Sequence, residues 1–417
     1  MAQQIKQLTT VDGIPLKISL RRAERTKKIN ALLLIVPTFL FIVISFLVPI
    51  ANMLVRSAYV PEVNQLMPKT VASLETWDGT GLPEEPSYAA MVEELKLLDK
   101  QKKLGKIALR LNNEKSGMRS LLFTSARKIK KIDTGPFKGK LIEINKRWKD
   151  RETWAVIKRF GKSFNLTYYL SSFDMKYNVD GDVIKQPVTQ RIYITIWLRT
   201  LKVSLLVTII CLFLGFPVSY LLSTLPLKIS NLLMICVLLP FWTSLLVRIT
   251  SWIVLLQKEG VINDILVWLN IVADENRIRM IYNLTGTLVA MSQILLPFII
   301  LPLYSVMKTI DPSYVRAARN LGANPFWAFV HVYLPQTIPG IGAGGILVFI
   351  LALGYYITPA LVGGSSGMLI GNFIALHMQK TLNWGLAAAM GAVLLLGVLA
   401  IYWLYNRLVG IENMKLG

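Results

Sequence analysis

Residues 311–335 read DPSYVRAARNLGANPFWAFVHVYLP, a short segment set between two windows that carry almost no charge. Pro312 suits the first turn of a helix, where its missing N–H leaves nothing unpaired, and Gly322 suits the positive φ that closes one. After that turn Phe326, Phe329 and Val330 fall at helical spacing, and Pro335 is expected to stop the second helix as the next apolar run begins. The segment therefore predicts two short helices joined at Gly322 between two membrane helices. A hairpin so placed can dock into a partner's groove and pass on a rigid-body push, or it can be a plain connector.

The flanking windows decide the class. Of 417 residues 53% are hydrophobic and only 17% charged, with a mean hydropathy of +0.50, whereas a soluble domain carries roughly a quarter charged residues. The deficit concentrates in windows of membrane-helix length: about 31–54, 201–223, 232–256, 283–307, 341–363 and 386–406. The first is too long for a signal-peptide core and reads as an uncleaved span. Arg21, Arg22, Arg25, Lys27 and Lys28 stand on its N-terminal side and place that end in the cytoplasm. Six spans then put the C-terminus inside as well. The predicted fold is an all-α membrane protein: a cytoplasmic tail (1–30), a first membrane helix (31–54), a mostly helical external insertion (55–198), a membrane core (199–408) containing the inner loop 308–340, and a cytoplasmic tail (409–417).

The formal charge of +22 does not point to nucleic acid. Of 46 basic residues, 27 lie between Arg56 and Arg199 among 16 acidic ones, a solvated and mildly basic domain rather than a basic stripe. Within it Ser87 is expected to cap a helix through Val92, Leu95, Leu98 and Ile107, residues 147–159 to form another, and Asn178–Asp182 to turn. So many charges argue against a dense core throughout. Cys211 and Cys236 read as small apolar helix residues, and His331 and His377 stand alone, so no metal site is expected. No phosphate-cradling G-x-x-x-x-G-K-[ST] occurs, and no catalytic residue is assigned. If ATP drives this protein, another chain binds it.

The inner segment resembles the EAA loop of ABC-importer permeases: E-A-A, three residues, G, nine residues, I, one residue, L-P. The slots here are Arg316, Ala317, Ala318, Gly322, Val332, Leu334 and Pro335, with Ala323 following the glycine. Five match, Val332 is conservative, and Arg316 departs by placing a base where the family has an acid. Residues 239–248 (LPFWTSLLVR), 296–304 (LPFIILPLY) and 354–364 (GYYITPALVGG) are similar to the spermidine/putrescine-type group of these permeases, over roughly residues 196–410. The resemblance implies a type I ABC-importer permease in a bacterial inner membrane, forming half of a pathway for a polyamine or related solute. It implies a second permease chain, expected to be a different polypeptide, two ATP-binding subunits carrying ATP and magnesium, and a periplasmic solute-binding protein. The loop would insert into the ATP-binding subunit, and the insertion is expected to receive the binding protein.

Two breaks are candidate pathway linings. Trp242, Thr243 and Ser244 follow Pro240, Tyr355, Tyr356 and Thr358 precede Pro359, and a proline at membrane depth frees carbonyls that must face protein or water. The same aromatics also suit an interfacial belt. Arg248 is placed some sixteen residues into the third span, about 24 Å along a straight helix. It either lines the pathway or snorkels to the headgroups. None of the six windows holds an Asp or Glu. An autonomous secondary transporter or channel, the alternative, would need such coupling carboxylates.

Overall fold

The computed structural model describes residues 16–132 and 134–409, so residues 1–15 and 410–417 of the two expected tails lie outside the described residues. The chain divides into two compact units, 1–56 and 57–417. In the first, a helix Leu16–Ile42 widens into one π turn, Val43–Leu47, and resumes as Val48–Ala58. Its apolar stretch Glu24–Ala58 contains the first expected span.

Among the described residues five helices are long and apolar enough to cross a membrane, and one sharply bent pair makes a sixth. After the first come Tyr193–Thr224, the bent pair Leu227–Trp242 with Leu245–Leu255, Leu284–Thr309, Pro325–Leu353 and Trp384–Arg407. Three boundaries correct the expectation. The second span begins at Tyr193 rather than near 201. The third is no straight helix: the axis turns by 94° at Thr243–Ser244, because Pro240 tightens residues 239–242 into a 3-10 turn and Thr243 and Ser244 are extended. The fifth helix was expected over 341–363 but runs from Pro325 to Leu353. Pro335 does not stop it. A π turn at Phe329–Tyr333 opens the helix just ahead of the proline ring, and Gln336 Nε2 donates to the Val332 carbonyl at 2.7 Å. The outer connections expected as loops also hold helices, Val261–Trp268 and Ile370–Gln379.

The core of the membrane part is the second, fourth and fifth spans. Apolar burial drives little association in lipid, so close backbone approach matters. A Cβ on Gly215 or on Gly344 would lie 2.7 Å or 2.9 Å from the Ile299 side chain, so each glycine lets its helix seat against the fourth span. Ser219 Oγ adds a bond to the Ile300 carbonyl at 3.2 Å.

Residues 59–190 fold as a helical domain with a denser core than its charge predicts. Tyr88, Trp148 and Trp154 are fully buried and mutually packed, with ring centroids 4.5 and 5.2 Å apart. Each polar tip is satisfied: Tyr88 Oη donates to the Trp148 carbonyl, Trp148 Nε1 to Ser125 Oγ and Trp154 Nε1 to the Trp148 carbonyl. Most charges stay at the rim; of the buried ones Arg110 lies over the Phe160 and Tyr168 rings at 4.1 and 4.3 Å, and Glu94 closes a helix. Glu94 accepts the Lys69 and Thr70 amides at 2.7 and 3.0 Å, closing the start of the helix Pro68–Glu75 from a neighbouring helix. Ser87 caps nothing: the helix starts at Glu85 and Ser87 Oγ bonds the Ser73 carbonyl instead. The helix expected over 147–159 is a 3-10 turn, Lys146–Lys149, followed by Arg151–Gly161, separated where the Asp150 carboxylate accepts the Glu152 amide at 3.0 Å. Asn178–Asp182 turns as expected, joining strands Met175–Tyr177 and Val183–Lys185.

This domain is fastened to the end of the membrane core at which the second span begins. The buried Asp174 carboxylate accepts the Ile192, Tyr193 and Ile194 amides at 3.0, 2.9 and 2.8 Å, so a side chain of the insertion supplies the partners for the free N–H groups that open the second span. Trp197 Nε1 donates to the Ser172 carbonyl at 3.0 Å, and Tyr168 packs on Gly385, where a Cβ would collide with its ring. Tyr193 Oη meets His377 Nε2 at 2.9 Å, and burial pushes that imidazole below its ordinary pKa. Asp174→Ala is expected to cost about 2 kcal/mol, the scale of hydrogen bonds to a charged group at a buried helix start. The thermal midpoint of the purified protein checks this; an unchanged midpoint would contradict it.

Candidate functional site

The loop between the fourth and fifth spans is built from capping chemistry. Asp311 Oδ1 accepts the Ser313 amide at 2.8 Å and opens the helix Pro312–Asn320. The Ser313 amide and hydroxyl hold that carboxyl below the ordinary carboxylate pKa. At the other end Gly322 adopts φ +93°, the Ala323 amide bonds the Ala318 carbonyl at 3.1 Å, and the Gly322 amide bonds Arg319 at 3.0 Å. These are the two bonds of a Schellman cap, which satisfies the last carbonyls and reverses the chain. Asn324 Oδ1 then accepts the Trp327 amide at 2.7 Å and starts the fifth span. Sequence reasoning missed both caps, although Asp before Pro312 and Asn before Pro325 are their usual signals.

Two faces result. Arg316 and Ala317 are exposed and Ala318 and Ala323 half-buried; Leu321 is 90% and Phe326 77% exposed, beside exposed Tyr314. On the opposite face Phe329 sets its ring edge-on to Phe216 and Tyr220, at 6.2 and 5.8 Å, and Tyr333 lies 5.3 Å from Tyr220. Leu334 is half-buried and Pro335 exposed. The loop thus offers small and apolar side chains to the surface while its far face grips the C-terminal end of the second span. No Cβ neighbour lies within 4 Å of Gly322, so only its backbone conformation demands glycine.

The second region is where the bent third span meets the break after the fifth. Ser244 Oγ accepts the Val247 amide at 3.2 Å and starts the helix Leu245–Leu255, while Thr243 Oγ1 donates back to the Pro240 carbonyl at 2.8 Å. These two hydroxyls are spent on the bend itself. Arg248 falls in the first turn of that new helix, which overturns the depth of 24 Å expected of a straight span. Its Nε and Nη1 atoms are buried without a hydrogen-bond partner, and the guanidinium acts electrostatically on the Tyr355 phenol. Around it Ile249, Ala290, Ile294 and Val362 form a buried cluster, with Leu245, Trp252, Tyr355 and Ile357 packed on its edge. Trp252 Nε1 donates to Gln293 Oε1 at 3.1 Å.

The candidate lining residues therefore divide. Arg248 and Tyr355 come together, Thr358 is fully buried on the adjoining short helix Ile357–Val362, Tyr356 is exposed, and Trp242 projects from the bend at 79% exposure. Two participants were missed. Gln293 is the one side-chain amide in residues 284–307, a signal present in the sequence. Asn372 is the other: its Nδ2 donates to the Tyr356 carbonyl at 2.7 Å and its Oδ1 accepts the Leu369 amide at 2.9 Å, so one buried amide closes the break from a distant helix. Among the described residues no group of three His, Cys, Asp or Glu is placed to hold a metal.

Known proteins place this arrangement. A family model described as the binding-protein-dependent transport system inner membrane component matches residues 212–410. The spermidine/putrescine transport system permease protein PotB of Salmonella typhimurium is 36% identical over 220 residues, covering 52% of this chain and 76% of that protein. The PotB of Haemophilus influenzae is 38% identical over 216 residues, 51% of this chain and 74% of its own. A solved bacterial alginate ABC transporter in complex with an alginate pentasaccharide-bound periplasmic protein aligns over 54% of this chain and 80% of its own, at 18% identity and a TM-score of 0.43. The family match begins at residue 212, beyond the helical domain of residues 59–190. On the family model and the PotB relatives, the chain belongs to the inner-membrane permease family of binding-protein-dependent ABC importers.

Proposed function

We propose that this chain forms half of the translocation pathway of an ATP-driven importer for a polyamine or a related small solute. A second permease chain completes the pathway, two ATP-binding subunits engage the loop 308–340 from the cytoplasm, and a periplasmic binding protein delivers the solute. The observation that carries this reading is the single helix Pro325–Leu353. At about 1.5 Å per residue it is a rod of roughly 40 Å. One end is the inner hairpin with its exposed Leu321 and Phe326; the other stops at the Gly354–Tyr356 break beside Arg248. A push on the hairpin reaches the break without passing through a flexible joint, which suits alternating access by rigid-body rocking.

Cargo of the polyamine class is supported by the relatives' transport names, while the apolar windows offer no carboxylate to a polycation. Exposed aromatic faces such as Trp242 and Tyr356, backbone carbonyls at the two breaks and the second permease would supply the contacts. The insertion, placed outside with both termini inside, is assigned to docking of the binding protein. Arg316, in the slot the family fills with an acid, is exposed and free to meet an acidic groove.

Gly322→Val tests the coupling. A β-branched residue at φ +93° costs about 1–2 kcal/mol in a loop with no buried core of its own. The variant is expected to reach the membrane folded but to lose its ATP-binding subunits on co-purification; full co-purification with normal uptake would refute the coupling role. Arg248→Met is expected to keep or raise the thermal midpoint, because it removes a half-buried guanidinium with two buried, unpartnered nitrogens, while uptake falls at least about tenfold. Uptake at the wild-type rate would remove Arg248 from the pathway.

A further inference from the structure

The insertion carries an apolar ledge that neither its own core nor the proposed transport path uses. Phe164 is 69% and Leu166 57% exposed, and exposed Tyr59 lies against Phe164 with ring centroids 4.9 Å apart. The ledge is tied in register to residues 58–60, which follow the first apolar window in the chain. The Asn165 amide donates to the Ala58 carbonyl at 3.0 Å, and the Val60 amide donates to the Ser163 carbonyl at 2.7 Å. Tyr59 and Phe164 pair as an isolated antiparallel bridge. These bonds hold Phe164 level with Tyr59, with Leu166 two residues on.

The height of the ledge is readable from the chain. The apolar run ends at Val55, before Arg56 and Ser57. Tyr59 lies four residues further, about 6 Å at the helical rise of 1.5 Å. Each headgroup layer is about 5–7 Å thick outside a hydrocarbon core of about 30 Å, so the ledge falls inside that layer rather than in bulk water. Its composition fits the place: two aromatics and a leucine face outward, and Lys162, exposed and without an ion pair among the described residues, stands two residues before Phe164. A second aromatic pair stands near the outer start of the next span, where half-exposed Phe173 stacks on Trp197 at 6.5 Å.

We propose that Tyr59, Phe164 and Leu166, with Lys162, form an interfacial anchor seating the insertion in the headgroup layer of the outer leaflet. The occupant is the lipid surface, because the ledge is tied to the residues that follow the first apolar window and carries the aromatic and lysine signature of that layer. Seated there, the domain has its height and tilt over the pathway set by the bilayer as well as by Asp174. The proposal rests on the outward placement of the insertion.

Spin labels on the full chain test it, in a Cys236→Ser background in which buried Cys211 is the remaining native thiol. Labels at Phe164→Cys and Leu166→Cys, in vesicles of phosphatidylcholine and phosphatidylglycerol, are expected to relax more with oxygen than with a water-soluble nickel chelate. A label at exposed Lys128→Cys is expected to show the reverse. Equal chelate access at all three positions overturns the anchor, and so does a label at 164 shielded from both agents, which would mean that protein covers the ledge. A membrane-impermeant thiol reagent on spheroplasts separates the two readings. Reaction at Lys128→Cys supports the outward placement, and protection there until the membrane is opened refutes that placement and the outer-leaflet anchor with it.

Discussion

A peptide group inside hydrocarbon must find its hydrogen bond within the protein, because an unmet one costs several kcal/mol there. Every unusual feature of the membrane part answers that demand. Where the third span turns by 94°, Ser244 and Thr243 supply the missing partners from their own hydroxyls. Where the fifth span ends, Asn372 reaches across from another helix to hold the Tyr356 carbonyl. Where the chain re-enters after the insertion, Asp174 takes three amides of the second span. The breaks are thus fixed joints, and a fixed joint is where a pathway can be lined without a lipid-exposed orphan.

The same constraint supports the proposal that the hairpin acts on the breaks. Its first helix is closed at both ends by Asp311 and the Schellman cap at Gly322, and its second half is continuous with the fifth span. Phe329 and Tyr333 join it to Phe216 and Tyr220 of the second span. Gly215 and Gly344 let the second and fifth spans close on Ile299 of the fourth. A displacement at Gly322 therefore moves packed helices, which shift between discrete arrangements rather than bending continuously.

Much of this was legible in the chain because charge-free windows of membrane length are a strong and local signal. The first helix of the hairpin and its turn were legible because Pro312 and Gly322 each demand a particular backbone. The spans with prolines were misjudged for one reason: apolar periodicity cannot tell a straight helix from one broken at Pro240 or opened by a π turn before Pro335. Arg248 was misplaced in depth by the same error. Gln293 and Asn372 matter through partners 41 and 16 residues away, which no local pattern reveals. The insertion was underestimated because its many lysines hide a periodic apolar face; Tyr88, Trp148 and Trp154 meet only after the chain folds.

In the proposed function the hairpin, the fifth helix and the paired breaks act together, and this chain moves solute only when ATP-binding subunits drive it. The direct measurement is accumulation of radiolabelled putrescine or spermidine in proteoliposomes, with this permease alone and with its permease partner, ATP-binding subunits and loaded binding protein. The account predicts uptake in the complete assembly that requires ATP and is absent with the permease alone. ATP-independent accumulation by this chain without its partners would contradict it.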